Sequence, residues 1–130
     1  MAKVLVIDDE KSVREMARRM LESEHHTVVE AVDGIEGFEV FQEEQPDVVV
    51  TDIIMPNADG LEIIRRILQI DPQAKIIAMS GGGRIASETY LKYARKFGAT
   101  SVLSKHFPPD ELLSLIRDFS NQEAPHGAMS

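Results

Sequence analysis

Four apolar β-forming residues, Val4-Leu5-Val6-Ile7, run straight into Asp8-Asp9-Glu10. Carboxylates crowded at the end of a buried strand repel one another, and burying one unpaired is costly. Something positive must neutralise them. Three more chemically capable residues follow apolar runs: Asp52 after VVVT, Ser80 after IIAM and Lys105 after SVLS. Together the carboxylates, a hydroxyl and an ammonium suit a hard divalent cation and a phosphoryl group. Mg²⁺ takes octahedral oxygen ligation and keeps several waters, so two carboxylates and a backbone carbonyl suffice. An aspartate in such a site can attack phosphorus. The metal and a lysine would offset the developing charge, and a hydroxyl would donate to a remaining oxygen.

These residues need elements to bring them together. Strands are predicted at Val4–Ile7, Thr27–Ala31, Val48–Thr51, Lys75–Met79 and Thr100–Leu103. Between them apolar residues recur with helical spacing. Val13, Met16, Ala17, Met20 and Leu21 mark the first helix, with Arg14, Glu15, Arg18 and Arg19 on its polar side. Ile35, Phe38 and Phe41 mark a second, weakened by Gly37, and Leu61, Ile64 and Leu68 a third, stopped by Asp71-Pro72. Ala86, Tyr90, Leu91, Ala94 and Phe97 mark a fourth, with Gly98 as its C-terminal cap. Pro109-Asp110-Glu111 opens a fifth, which carries Leu112, Leu113, Ile116 and Phe119. Five βα units of this kind imply a parallel, doubly wound α/β sheet covered on both faces. In such folds ligands bind beyond the carboxyl ends of the strands. Those are the ends that carry Asp8, Asp9, Asp52, Ser80 and Lys105; the second strand ends at Ala31-Val32, with Asp33-Gly34 read as an ordinary turn.

The 130 residues fit one domain at 1–120, followed by a polar tail at 121–130 expected to be disordered. With 22 acidic against 14 basic residues the formal charge is −8, which disfavours nucleic acid and anionic membranes as partners. There is no cysteine, no run long enough to span a membrane and no signal-peptide core, so a cytoplasmic location is expected.

VLVIDDE, VVVTDIIMPNADG, AMSGGG and VLSKHF, in that order, resemble the receiver domain of bacterial two-component response regulators. The resemblance runs from about Lys3 to Phe119. It implies a flavodoxin-like sheet in the order 2-1-3-4-5. It also implies that Asp52 is the phosphoacceptor, and that Asp9, Asp52 and the backbone carbonyl of Ile54 hold Mg²⁺. Asp8 would orient metal waters, Ser80 would take the phosphoryl switch role, and Lys105 would pair with the phosphoryl group. The implied donor is a sensor histidine kinase or a histidine phosphotransfer protein. The reading is of a stand-alone receiver that signals through another protein and catalyses only its own phosphoryl transfer and autodephosphorylation. Receivers also use the fourth helix, fifth strand and fifth helix to meet partners or form homodimers. On this chain that face would carry Lys92, Arg95, Lys96 and Val102.

Several positions depart from the family pattern. Val102 stands where receivers usually place Tyr or Phe, so an aromatic rotamer cannot report phosphorylation. His106 replaces the proline that usually follows the lysine; an imidazole there would respond to the phosphoryl charge near neutral pH. Ile54 is apolar and Gly82 has no side chain at positions that, by the resemblance, tune dephosphorylation in the family. Gly81-Gly82-Gly83 lacks the spacing of a phosphate-binding loop and reads as a flexible connection before Arg84, and the stretch from Ser80 to Lys105 is a few residues longer than usual. His25 and His26 have no ligand-spaced partner and read as a surface turn. The alternatives are a degenerate receiver that binds without phosphorylation, a haloacid-dehalogenase-type phosphohydrolase with Asp8 as nucleophile, and a flavodoxin-like carrier. Glu10 replaces the second Asp of the phosphohydrolase motif, and the acids after the first strand would repel a flavin phosphate.

Overall fold

A computed structural model of the chain describes residues 1–53, 60–80, 92–104 and 110–119. Ile54, Gly81–Gly83, Arg84, Lys105, His106 and the tail from 120 onward lie outside these described residues. The element order is β1 (Lys3–Ile7), α1 (Lys11–Ser23), β2 (Thr27–Ala31), α2 (Gly34–Glu44), β3 (Val48–Asp52), α3 (Gly60–Ile70) and β4 (Lys75–Ser80). Helical residues 92–97 (α4), β5 (Ser101–Ser104) and helical residues 110–119 (α5) follow. The five strands form one parallel sheet in the order β2-β1-β3-β4-β5. The predicted strands lie within one residue of the observed ones at either end, where short apolar runs between helical segments satisfy their backbone groups as ladder partners.

Alternation along each strand supplies two cores. Val4, Val6, Val48, Val50, Ile77, Met79 and Leu103 pack with Ala17 and Leu21 of α1 and with Leu112, Leu113, Ile116 and Phe119 of α5. Leu5, Ile7, Val49, Ile76 and Ala78 face the other way, towards Phe41 of α2, Ile63, Ile64 and Ile67 of α3, and Ala94 of α4. Both faces of the sheet are thus covered, as uniformly apolar strands require.

Helix faces differ in detail from the periodicity. Ile35 is 53% exposed, and the apolar stripe of α3 centres on Ile63, Ile64 and Ile67 rather than on Leu61 and Leu68, which are only partly buried. Gly37 does not simply weaken α2. A β-carbon there would sit 2.5 Å from Cδ1 of Ile7, so the glycine lets the helix lie close on β1. Asp33 is more than a turn residue, since its carboxylate caps α2 by accepting from Glu36 N at 2.9 Å. Gly98 ends α4 as expected, at φ 115, with Gly98 N bonded to Arg95 O and Ala99 N to Ala94 O.

Candidate functional site

The order of the sheet decides which strand ends meet. From β1 the chain moves outward to β2, then crosses back to place β3 on the other side of β1, so a crevice opens between the carboxyl ends of β1 and β3. Their register pairs Ile7 with Thr51, which sets Asp8 beside Asp52 on neighbouring strands. One carboxylate oxygen from each of Asp8, Asp9 and Asp52 lies within 4.8 Å of the others. Asp8 is fully buried and Asp52 is 4% exposed, whereas Asp9 is open to solvent.

Local bonds hold the two buried acids. Asp8 continues the ladder past β1, donating its amide to Ala31 O at 3.1 Å. Its Oδ1 accepts from Glu10 N at 2.9 Å, which bends the chain into α1. Its main-chain carbonyl accepts from Arg14 Nη1 at 2.8 Å. At the end of β3 the buried Thr51 hydroxyl donates to Asp52 O at 3.0 Å, and Ile53 N continues the ladder to Met79 O at 2.9 Å. Gly60, the first residue of α3, rests on this segment, with its amide 2.6 Å from Ile53 O. A β-carbon at Gly60 would collide with the carbonyl of Asp52 and stand 2.6 Å from Ile53 Cα. The bare glycine therefore lets α3 begin against the acid-bearing strand.

The donor set tests the fit to a hard cation. All three groups supply carboxylate oxygen, two are withdrawn from solvent, and the third leaves a side open to water. That combination suits a small divalent ion that retains part of its hydration. Three carboxylates at this separation repel one another, and a cation relieves that repulsion. His25 and His26 lie at the opposite end of the sheet, around the join of α1 to β2. His26 there does more than occupy a turn: its Nδ1 accepts from Ala2 N at 3.0 Å.

Ser80 ends β4, paired with Ser104 of β5, one residue beyond the Asp52–Met79 pair. Its backbone is thereby at the same end of the sheet as the acids, while its side chain lies outside the described residues. Lys92, Arg95 and Lys96 are exposed on α4 beside the exposed Tyr93 and Phe97, and Lys96 Nζ lies 6.0 Å from the Tyr93 ring centroid. Val102 is half-buried on β5, against the core that also holds Ala94.

Two site residues escaped the sequence reading. Gly60 lies in the quoted stretch VVVTDIIMPNADG, but only the tertiary approach of α3 reveals why it is bare. By its spacing Arg14 belongs to the polar side of α1. It instead folds back towards the sheet, where its Nε donates to Glu30 Oε1 of β2 at 3.0 Å. The available signal was the carboxylate of Glu30, set in an apolar edge strand.

The described residues include no helix long and apolar enough to cross a membrane. Residues 4–117 match the family model of the response regulator receiver domain. The chemotaxis protein CheY of Halobacterium salinarum is 37% identical over 115 residues, covering 88% of this chain and 93% of that protein. The response regulator MprA of Mycobacterium ulcerans is 34% identical over 115 residues, but this chain spans only 48% of its length. The crystal structure of a response regulator receiver domain protein from Clostridium thermocellum superposes with a TM-score of 0.86 at 32% identity, covering 95% of this chain and 98% of that one. With the sheet order and the acidic crevice, these likenesses establish that the chain belongs to the response regulator receiver family, as a CheY-like domain of two-component signalling.

Proposed function

We propose that this receiver accepts a phosphoryl group on Asp52 from a sensor histidine kinase or a histidine phosphotransfer protein, and then signals to a protein partner in the cytoplasm. The observation that carries the proposal is the meeting of Asp8, Asp9 and Asp52 at the ends of two adjacent strands. Asp52 is the acid fixed within a strand, and its position on β3 points it into the crevice between strand ends. A carboxylate oxygen of Asp52 attacks phosphorus as the bond to the donor nitrogen breaks, and the departing imidazole keeps that electron pair and takes up a proton. Water later attacks the phosphorus, releasing inorganic phosphate and restoring the carboxylate.

Asp9 and Asp52, with the backbone carbonyl of Ile54, would hold Mg²⁺, and Asp8 would orient its waters. Bound there, the ion supplies positive charge against the phosphoryl oxygens. Ser80 and Lys105 complete the site on the strength of their places in the sequence, after β4 and after β5. Partner binding or homodimerisation falls to the face of α4, β5 and α5, where Lys92, Arg95 and Lys96 offer positive charge on a chain of net charge −8. That imbalance also argues against nucleic acid as the partner.

Labelling with acetyl phosphate and Mg²⁺ tests the assignment. The wild type should form a base-labile acyl phosphate that Asp52→Asn abolishes. Label found on Asp8, or retained in Asp52→Asn, overturns the assignment. Failure of the wild type to label at all would favour a receiver that binds its partner without phosphorylation, the reading to which Val102 and His106 point.

A further inference from the structure

Asp9 presents a particular difficulty. It is exposed, it follows a buried like charge, and it must hold its carboxylate near two others that repel it. Side-chain entropy and Coulomb repulsion both favour swinging it out into solvent. What opposes this is the backbone. The peptide plane before Asp9 carries the carbonyl of Asp8, which accepts from Arg14 Nη1 at 2.8 Å. The plane after Asp9 carries the amide of Glu10, which donates to Asp8 Oδ1 at 2.9 Å. Peptide units are planar, so holding both planes restrains the two soft torsions at Asp9, sets the direction of its Cα–Cβ bond and narrows the rotamers open to its carboxylate.

The Arg14 pin is itself secured. Its Nε donates to Glu30 Oε1 at 3.0 Å, and the second oxygen of Glu30 accepts from Arg18 Nε at 2.6 Å. Arg18 also donates to Glu22 at 2.9 Å. The Arg14 side chain is only 13% exposed, so the guanidinium has little room to exchange this geometry for solvent. Burial pushes the Glu30 carboxyl up, but the hydrogen bonds from Arg18 and Arg14 outweigh it and hold the group below the usual carboxylate range. Glu30 thus stays charged as an anchor.

We infer that Arg14, locked by Glu30, is a positioning residue of the acidic centre that aims Asp9 at the divalent cation through the carbonyl of Asp8. The inference rests on the cation reading given above and assigns a role to a helix residue that touches neither cation nor phosphoryl group. It differs in sign from the simpler idea that Arg14 only offsets negative charge. A guanidinium acting by charge alone competes with the cation, so its removal would tighten Mg²⁺ binding. A guanidinium that positions Asp9 does the reverse.

The test is a Mg²⁺ titration of the full chain followed through backbone amide NMR signals. Arg14→Met keeps the aliphatic stem and should weaken Mg²⁺ on the order of tenfold, the scale of lost outer-sphere support. The amides of Asp9 and Glu10 should shift before any metal is added, while those of β4 and β5 stay in place. Glu30→Gln should give a smaller loss of the same sign, and that loss should vanish in the Arg14→Met background. Glu30→Gln carries the test alone if Arg14→Met does not fold. Unchanged or tighter Mg²⁺ binding in a folded Arg14→Met overturns the role of Arg14, as does an undiminished Glu30→Gln effect in the double variant. Asp9→Asn runs alongside: if it titrates like the wild type, the cation reading fails and the positioning role falls with it.

Discussion

At the level of single residues the acidic crevice costs the protein stability. Two carboxylates at about 4 Å and an effective dielectric of 20 repel by roughly 4 kcal/mol, less where water reaches one of them. Asp9 is the solvent-facing member, so replacing it relieves repulsion without opening a cavity in the core. Asp9→Asn should therefore raise stability in a metal chelator, by on the order of 1 kcal/mol. Added Mg²⁺ at about ten times its Kd should stabilise the wild type by about 1.4 kcal/mol and leave the variant unmoved. Urea unfolding of both proteins with and without Mg²⁺ measures this; equal responses to Mg²⁺ would remove Asp9 from the ligand set.

Two element boundaries govern how the helices meet the sheet. Just past the end of helix α1, His25 sits at φ 68, with His25 N bonded to Glu22 O and His26 N to Leu21 O. That left-handed position favours glycine, because a β-carbon there crowds the backbone. His25 is exposed and loses no packing on replacement. His25→Gly should stabilise the fold by about 0.5 kcal/mol, the relief of strain being partly offset by the greater freedom of glycine in the unfolded chain. Thermal unfolding would show a small upward shift in Tm. Gly60 behaves in the opposite sense. Its contact is with backbone, which cannot swing aside, so Gly60→Ala must push the start of α3 away from Asp52 and Ile53. Overpacking of this kind costs about 1–3 kcal/mol. The same displacement should slow phosphorylation from acetyl phosphate beyond what lost stability explains, measured at a temperature where the variant remains folded. A variant that is less stable but phosphorylates at the wild-type rate would separate Gly60 from the site.

On the scale of the whole molecule, the end of the sheet opposite the acids carries a pH response. His26 is held below its ordinary pKa, first by burial and then by the N-terminal ammonium, with Glu24 opposing. Its neutral Nδ1 accepts from Ala2 N, a bond that protonation breaks. Below about pH 6.5 the unfolded chain takes up a proton that the folded state resists, so stability is present above that value and falls as pH drops towards the lower folded pKa. His26→Asn, which keeps an acceptor without the titration, should lose less stability between pH 7.5 and 5.5 by urea unfolding in chelator; equal losses would exclude His26 as the source. The nearby pair of Glu24 and Arg117 ties the end of α1 to α5 and holds the Glu24 carboxyl below its usual range through their hydrogen bond. Such architecture was largely legible from the sequence. Apolar runs of four or five residues alternating with helical periods read as strands of a parallel sheet covered on both faces, and acids at their ends then lie where parallel strands open. The order β2-β1-β3 came from the family likeness of four motifs, since a parallel sheet needs a reversal but local pattern does not say where it falls. What the linear pattern could not show were contacts made by residues that looked ordinary where they stood. Arg14 reads as a solvated helix charge until β2 brings Glu30 beneath it, and Gly37 reads as a weak point until Ile7 fills the space that it leaves. Gly60 is one unremarked residue of a motif until α3 lies against the backbone of Asp52. Composition and period describe which face of an element is apolar, whereas close approach and shared charges depend on distances between segments far apart in the chain, and only the folded molecule sets those.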